Sequence, residues 1–404
     1  MQHGNTVLTS LGIMFTLVAT KATPGEADPQ AAIRQLRMGT LIVQTAPGAT
    51  VKVTQLRHEF WFGTAINRRM FRDLDNPSPD AAKCLEILKT HFNSAVHENE
   101  MKWYSTERNA PAPDNPNYTD ADRMLEWCEK NGLEMRGHAI FWGIEQFVMK
   151  WQKDMDNASL RKAVERRAKE VTSHYKGRIH EYDLNNEMMH GDYYAKRLGE
   201  GIVADMFRWA KEGDPDARLY VNDYGILQSG GEAYAKHIQG LLDRGIPVGG
   251  IGIQGHSGAQ IDPAKVKATL DRLAQFKLPI KITEFDMDTA DEQAKARGLE
   301  AVYRTCFAHP AVDGILMWGF WEGCHWKPKA AIWKRDWTPT PAAETYRRLV
   351  LDEWWTRFEG KADAAGRCEA PVFFGRHRVE ANGKAVEVAL SKKEGKRTVE
   401  VGSR

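Results

Sequence analysis

From residue 60 onward, short apolar runs alternate with stretches whose apolar residues recur at helical spacing. The runs cover residues 60–66, 92–99, 133–142, 179–187, 217–223, 249–256, 279–286 and 314–320. Their starts lie 30 to 46 residues apart, the size of one strand–helix unit. Between them, DADRMLEWCEKN follows Thr119 as a candidate N-cap and stops at Gly132, and similar patterns cover residues 159–175 and 293–308. Eight strands each followed by a helix predict an α/β fold of the (β/α)8 barrel type. An open doubly wound sheet is the alternative, but no GxGxxG turn follows the first strand.

The flanks differ in kind. Residues 38–43 and 50–56 alternate like two strands around Ala46-Pro47-Gly48. Residues 372–379, 385–390 and 397–401 are three further β-like pieces, separated by Asn382-Gly383 and Lys393-Glu394-Gly395. Neither end alone supplies enough strand to bury a sheet face. The two ends are therefore expected to form one small accessory β module against the barrel. The implied division is a leader over 1–27, module strands over 28–57, a catalytic barrel over 58–358 and further module strands over 359–404.

Charge nearly cancels, 56 basic against 54 acidic residues. That balance argues against a protein that coats nucleic acid. No apolar run reaches the roughly 20 residues that would cross a bilayer, so no membrane role is expected. Residues 7–19 have the length of a signal-peptide apolar core, although no Lys or Arg precedes them. Export, to a secreted or periplasmic location, is the expectation. The five cysteines lack CxxC spacing and read as free buried thiols rather than a zinc site.

Barrel enzymes gather their chemistry where the strands end. The second run ends in Glu98, Asn99 and Lys102, the third in His138 and Trp142, and the fourth in Asn186 and Glu187. The fifth ends in Asn222 and Asp223, followed by Tyr224. The sixth supplies Gln254 and His256, the seventh Glu284 and Asp286, and the eighth Trp318 with Trp321 and Trp326. One such residue is usually a strand-end cap; seven strands doing so together is not. Glu187 and Glu284, on the fourth and seventh strands, can face each other across one cleft. Glycosidic cleavage needs such a pair, an acid to protonate the leaving oxygen and a carboxylate to attack. Strand alternation puts Glu284 and Asp286 on one face, where His256 could hold the attacking carboxylate ionised. Asn186 and Glu187 are adjacent and reach the same cleft only if the pleat breaks there. Trp142, Trp318 and Trp326 are placed to stack on sugar faces, whereas Trp127 and Trp209 lie in helical patterns and are expected in the core.

The blocks HENEMKW (97–103), RGHAIFW (136–142), YDLNNE (182–187), LYVNDY (219–224), GIQGH (252–256), ITEFD (282–286) and WGFWEGCHW (318–326) resemble family 10 glycoside hydrolases in motif order. The resemblance covers about residues 60 to 350 and implies a retaining endo-β-1,4-xylanase acting on xylan or xylo-oligosaccharides. It implies Glu187 as acid/base and Glu284 as nucleophile, with no metal or cofactor and a monomeric chain. It further implies that Asn186 holds the 2-hydroxyl of the attacked sugar and that Asp286 supports His256. Asn222 and Tyr224 would line the cleft near Glu187. Glu98, Asn99, Lys102, His138, Trp142, Gln254, Trp318 and Trp326 would bind sugar. After Trp142 the family commonly has His-Ser-Gln, whereas this chain reads Gly143-Ile144-Glu145. That departure leaves hydrolysis of another β-glycan as an alternative. A non-catalytic carbohydrate-binding protein and a metal-dependent hydrolase using His138, His256, Glu187 and Asp286 are the remaining rivals.

Overall fold

The computed structural model describes residues 29–111, 115–258 and 260–402. The expected leader, residues 1–27, lies outside them. Among the described residues no helix is long and apolar enough to cross a membrane. The described residues hold seventeen strands, in chain order β1 (Met38–Gln44), β2 (Thr50–His58), β3 (Trp61–Ile66), β4 (Ser94–His97), β5 (Glu134–Arg136), β6 (Phe141–Trp142), β7 (Glu181–Asn186), β8 (Arg218–Asp223), β9 (Gly250–Ile253), β10 (His256–Ser257), β11 (Ile280–Met287), β12 (Val312–Met317), β13 (Arg357–Lys361), β14 (Arg367–Phe373), β15 (Gly375–Ala381), β16 (Lys384–Leu390) and β17 (Lys396–Glu400).

Strands β3 to β12 form the barrel. The parallel order runs β5-β4-β3-β12-β11-β9-β8-β7-β6, and its two ends are two halves of the third apolar run. Gly137 joins them: its N–H donates to Glu181 O at 3.0 Å, and its carbonyl accepts from Asp183 N at 2.9 Å. The sheet therefore closes on itself. Gly137 is required there, because a Cβ would stand 2.3 Å from the Tyr182 ring. Strands β4, β7, β9 and β11 are buried along their whole length, as expected when helices cover the outside and side chains fill the inside. Three helices fall close to the expected patterns, Thr119–Lys130, Asn157–His174 and Glu292–Phe307. Thr119 is the first helical residue rather than the cap, a position that Tyr118 takes.

The barrel floor holds a buried ionic cluster that hydrophobic patterning could not reveal. Arg136 pairs with Glu181 at 2.9 Å and also contacts Asp183, while Lys281 reaches the same Glu181 at 2.9 Å. The Lys281 ammonium lies 3.8 Å from the centre of the Trp61 ring. Burial pushes the Glu181 carboxyl upward, but the Lys281 and Arg136 cations beside it outweigh burial and hold it below its ordinary value. Such a cluster tolerates burial only because every charge has an opposite neighbour.

The flanking module has two sheets. In one, β1 pairs antiparallel with β14 and parallel with β17; in the other, β2 lies between β13 and β15, and β15 continues to β16. Leu41, Val43, Val51, Val53, Ala370, Val372, Val379 and Leu390 fill the space between the sheets. Three details differ from the expected strands. Residues 29–37 form a helix (Pro29–Arg37), and its Ile33 packs into the barrel core rather than the module. An additional strand, β13, begins at Arg357. The single expected strand 372–379 is two strands in different sheets, and the chain crosses between them at Gly375. That residue has φ of +145°, and a Cβ there would lie 1.9 Å from Arg57 O. Only glycine permits so close an approach. Arg37 fastens this part of the chain to the barrel by donating to the carbonyls of Phe307 (2.8 Å), His309 (2.9 Å) and Val312 (2.8 Å).

All five cysteines are free; four are buried and Cys324 is half-buried. Trp209 is buried, and Trp127 packs half-buried against the core beside Phe71.

Candidate active site

The fourth barrel strand breaks its pleat where the sequence required it. The pairing of β7 with β8 shifts register between Asp183 and Asn185, and Glu187 has φ of +61°. The left-handed region costs a non-glycine residue roughly 1 kcal/mol, and such strain concentrates where a side chain must be aimed. The Glu187 N–H still donates to Asn222 O at 2.8 Å, so the turn is anchored to the sheet. Asn186 and Glu187 thereby reach the same polar cluster.

Two donors hold the Glu187 carboxylate. Trp142 Nε1 donates to Oε2 at 2.8 Å, and Gln254 Nε2 donates to Oε1 at 2.9 Å. Gln254 also reaches Asn186 Oδ1 at 3.4 Å. The same Asn186 oxygen accepts from Asn222 Nδ2 at 2.9 Å, and Asn222 Nδ2 donates to Glu284 Oε1 at 2.7 Å. The two carboxylates, 97 positions apart in sequence, are thus joined by a bridge of three side-chain amides. Thr283 fixes the sense of that bridge: its hydroxyl donates to Asn222 Oδ1 at 2.6 Å, which turns the Asn222 nitrogen toward Glu284. Asn222 therefore lies beside Glu187, as expected, and meets it through its backbone carbonyl, while its side chain serves Glu284.

Glu284 is buried and surrounded by cationic and donor groups. His256 Nε2 lies 3.3 Å from Oε2, and His138 Nδ1 lies 3.9 Å from Oε1. Burial alone would raise its pKa, but His138, His256 and Lys102 together bring it down to about 2. His256 sits between two carboxylates, with Nδ1 3.0 Å from Asp286 Oδ1. That contact is an ion pair whose angle is not that of a hydrogen bond. Burial opposes the charge on the ring, but Asp286 and Glu284 prevail and raise it to about 9. Asp286 Oδ2 in turn accepts from Trp326 Nε1 at 2.8 Å. His138 is oriented by Asp183, whose Oδ2 is 2.9 Å from Nδ1, and Asp183 connects back to Arg136 in the floor cluster.

The rest of the expected shell lies around this pair. Lys102 is buried, donates to Asn99 Oδ1 at 3.2 Å, and places its ammonium 4.6 Å from the Trp142 ring centre. Burial lowers its pKa, against the pull of Glu284, Glu98 and Glu187. Tyr104 Oη also donates to Asn99 Oδ1, and Asn67 Nδ2 donates to Glu98 Oε2 at 3.0 Å. Two exposed aromatics remain for a ligand: Trp326, 48% exposed, and Tyr224, 38% exposed and stacked on His190 at 3.8 Å. The other two tryptophans depart from the stacking role expected of them. Trp318 is buried against His138, and Trp142 spends its indole N–H on Glu187 and one ring face on Phe147, 3.7 Å away. Glu145, the departure after Trp142, is exposed on the short turn Glu145–Phe147 and adds no buried charge to the pair.

Sequence reasoning missed Thr283, Asp183, Asn67, His190 and Phe147. Thr283 and Asp183 stood inside quoted blocks. Asn67, His190 and Phe147 carried no signal, because their roles depend on which side chain the fold places opposite them. Among the described residues no cluster of His, Cys, Asp and Glu could hold a metal ion.

A closed (β/α)8 barrel that presents two acidic side chains at its strand ends, one held anionic and the other at the end of an amide bridge, defines a class of two-carboxylate barrels. Within that class the chain belongs to glycosyl hydrolase family 10, whose family model matches residues 53–348. It is 40% identical over 332 residues to anti-sigma-I factor RsgI6 of Acetivibrio thermocellus, a match covering 82% of this chain and 42% of that protein. It is 38% identical over 338 residues to endo-1,4-beta-xylanase 1 of Arabidopsis thaliana, covering 82% of this chain and 34% of that protein. The chain thus spans less than half the length of these curated relatives. Native xylanase 10B from Thermotoga maritima superposes with a TM-score of 0.66 at 28% identity, covering 73% of this chain and 96% of that one.

Proposed function

We propose that the chain is a retaining, endo-acting hydrolase of β-1,4-xylosidic bonds, with Glu284 as nucleophile and Glu187 as acid/base. The observation that carries the reading is the asymmetry of the pair. Glu284 is held anionic at a pKa of about 2 by His138, His256 and Lys102, while among the described residues no cation touches Glu187, whose carboxylate meets the neutral donors of Trp142 and Gln254. In the first step a Glu284 oxygen attacks the anomeric carbon as the C–O bond to the leaving sugar breaks. Glu187 gives its proton to the departing oxygen. In the second, Glu187 takes a proton from water as that water displaces Glu284 and restores both groups. Asn186 commits its carbonyl to Asn222 and Gln254, which leaves its amide nitrogen for a sugar hydroxyl. Trp326 and Tyr224 supply faces for sugar rings. The chain's likeness to endo-1,4-beta-xylanase 1 of Arabidopsis thaliana and to a Thermotoga petrophila xylanase 10B in complex with xylobiose supports the substrate class. Because xylan is a polymer outside cells, the apolar run at residues 7–19 fits export of the chain, which N-terminal sequencing of the mature protein would test.

The decisive measurement is product analysis on xylan, glucan and mannan with anomer detection. Release of β-xylo-oligosaccharides, undiminished by exhaustive chelation, is expected. Glu284→Gln should abolish turnover while xylo-oligosaccharide binding survives. Inverted product, or activity lost on chelation, would refute the mechanism; binding without turnover by the unaltered protein would make it a carbohydrate-binding module instead.

A further inference from the structure

The acid/base carboxylate hangs on two bonds, and one of them comes from an indole whose ring is flanked by the Lys102 ammonium and the Phe147 ring. Trp142 ends a strand of two residues, is half-buried, and donates its indole N–H to Glu187 Oε2. The direction of that N–H depends on the plane of the ring, and therefore on whatever lies against its face. Phe147 lies there, stacked with centroids 3.7 Å apart and planes at 18°, and Tyr104 continues the pile beyond Phe147 at 6.4 Å and 30°. Rings in face contact at this distance block rotation of the indole out of its plane, because the van der Waals surfaces already touch.

Backbone contacts fix the other side of the same segment. Gly143 O accepts from Tyr193 N at 3.1 Å, and Gly191 N donates to Glu187 O at 2.9 Å. Gly143 and Gly191 touch backbone to backbone: a Cβ on Gly143 would stand 2.8 Å from Gly191 O, and one on Gly191 would stand 2.6 Å from Ile144 N. Residues 143–147 are thus seated on the turn that carries Glu187, and Phe147 N closes the seat by donating to Ile144 O at 2.9 Å. This is the stretch where the sequence leaves the His-Ser-Gln pattern.

We infer that Phe147 is a positioning residue for Glu187: by stacking on Trp142 it fixes the indole N–H that orients the acid/base carboxylate. The inference rests on Glu187 being the proton donor proposed above. It predicts a selective defect, because only substrates that need a proton on the leaving oxygen depend on how Glu187 is aimed.

The test compares kcat/KM for two substrates that share a glycone, xylotetraose and 2,4-dinitrophenyl xylobioside. The first expels a sugar hydroxyl and needs the acid; the second expels a stable phenolate and does not. Phe147→Ala should lower kcat/KM about tenfold on xylotetraose, a fraction of the roughly 100- to 10,000-fold that general acid catalysis supplies, and less than twofold on the aryl glycoside. Phe147→Tyr should restore the xylotetraose rate, and Phe147→Leu, which keeps bulk without a ring face, should not. The Leu variant also serves if the Ala variant fails to fold. Equal losses on both substrates, or full activity in the Leu variant, would overturn the inference by showing a packing or substrate-binding role. An unaltered protein that cleaves neither substrate would overturn the proton-donor reading together with it.

Discussion

Replacing His256 by alanine removes the cation that separates two buried carboxylates. The ring contacts Glu284 at 3.3 Å and Asp286 at 3.0 Å, and its own side chain is 17% exposed. Its pKa stands near 9, against 6.5 for a free imidazole, after burial has taken its share. Glu284 falls to about 2 from 4.5. The two shifts share the His256–Glu284 contact, but Asp286 is the leading partner in raising the histidine and His138 the leading partner in lowering the glutamate, so they are not summed. At about 1.4 kcal/mol per pKa unit, the histidine's own shift corresponds to about 3 kcal/mol. The signs define the window. A raised histidine contributes fully below its unfolded pKa, and its contribution is lost as pH climbs from 6.5 toward 9. A depressed carboxylate contributes fully above 4.5, and its share is lost as pH falls toward 2. Stabilisation by the triad is therefore complete between about pH 4.5 and 6.5. Denaturant unfolding of the unaltered and His256→Ala proteins should differ most in that interval, and the difference should narrow by about 3 kcal/mol by pH 9.5. The acid limb of kcat/KM should move up from about pH 2 by about 1 to 2 units, because Glu284 retains only His138 and Lys102. A stability difference that stays flat from pH 5.5 to 9.5, or an unmoved acid limb, would refute the view that His256 is charged in the triad and shares in holding Glu284 ionised.

Two further perturbations test how the module is held. Arg37→Met strands three carbonyls that share one buried guanidinium, and should cost about 3 kcal/mol or more in urea unfolding; a loss under about 1 kcal/mol would mean that water replaces the arginine. Gly375→Ala forces a Cβ onto Arg57 O at the point where the chain changes sheets, and should lower stability by about 2 to 4 kcal/mol while kcat/KM of the folded fraction stays unchanged. A thermal melt unaffected by that substitution would show that the crossing is not tight.

Much of the fold was legible because its evidence is local. The eight apolar runs and the helices between them follow from periodicity, and period two along β11 was enough to put Glu284 and Asp286 on one face. Adjacency alone demanded a broken pleat before Glu187, and the register shift and left-handed φ supply it. The module was harder. Residues 372–379 read as one β-like piece, and the glycine that interrupts it at 375 signals a bend or bulge but not that the chain passes there from one sheet to another. Residues 29–37 became a helix because Ile33 has the barrel core to pack against.

The sequence by itself determined which chemistry arrives at the strand ends: two glutamates, a histidine between acids, amides and indoles, each on a predictable strand. It could not say who holds whom. That Asn222 serves Glu284, that Thr283 sets the amide bridge, and that Trp142 is a donor to Glu187 rather than a free platform were decided only by barrel closure. Strand position is a one-dimensional property that residue periodicity encodes. A hydrogen bond depends on side chains from distant strands meeting within a few tenths of an ångström, and only the closed sheet sets those distances.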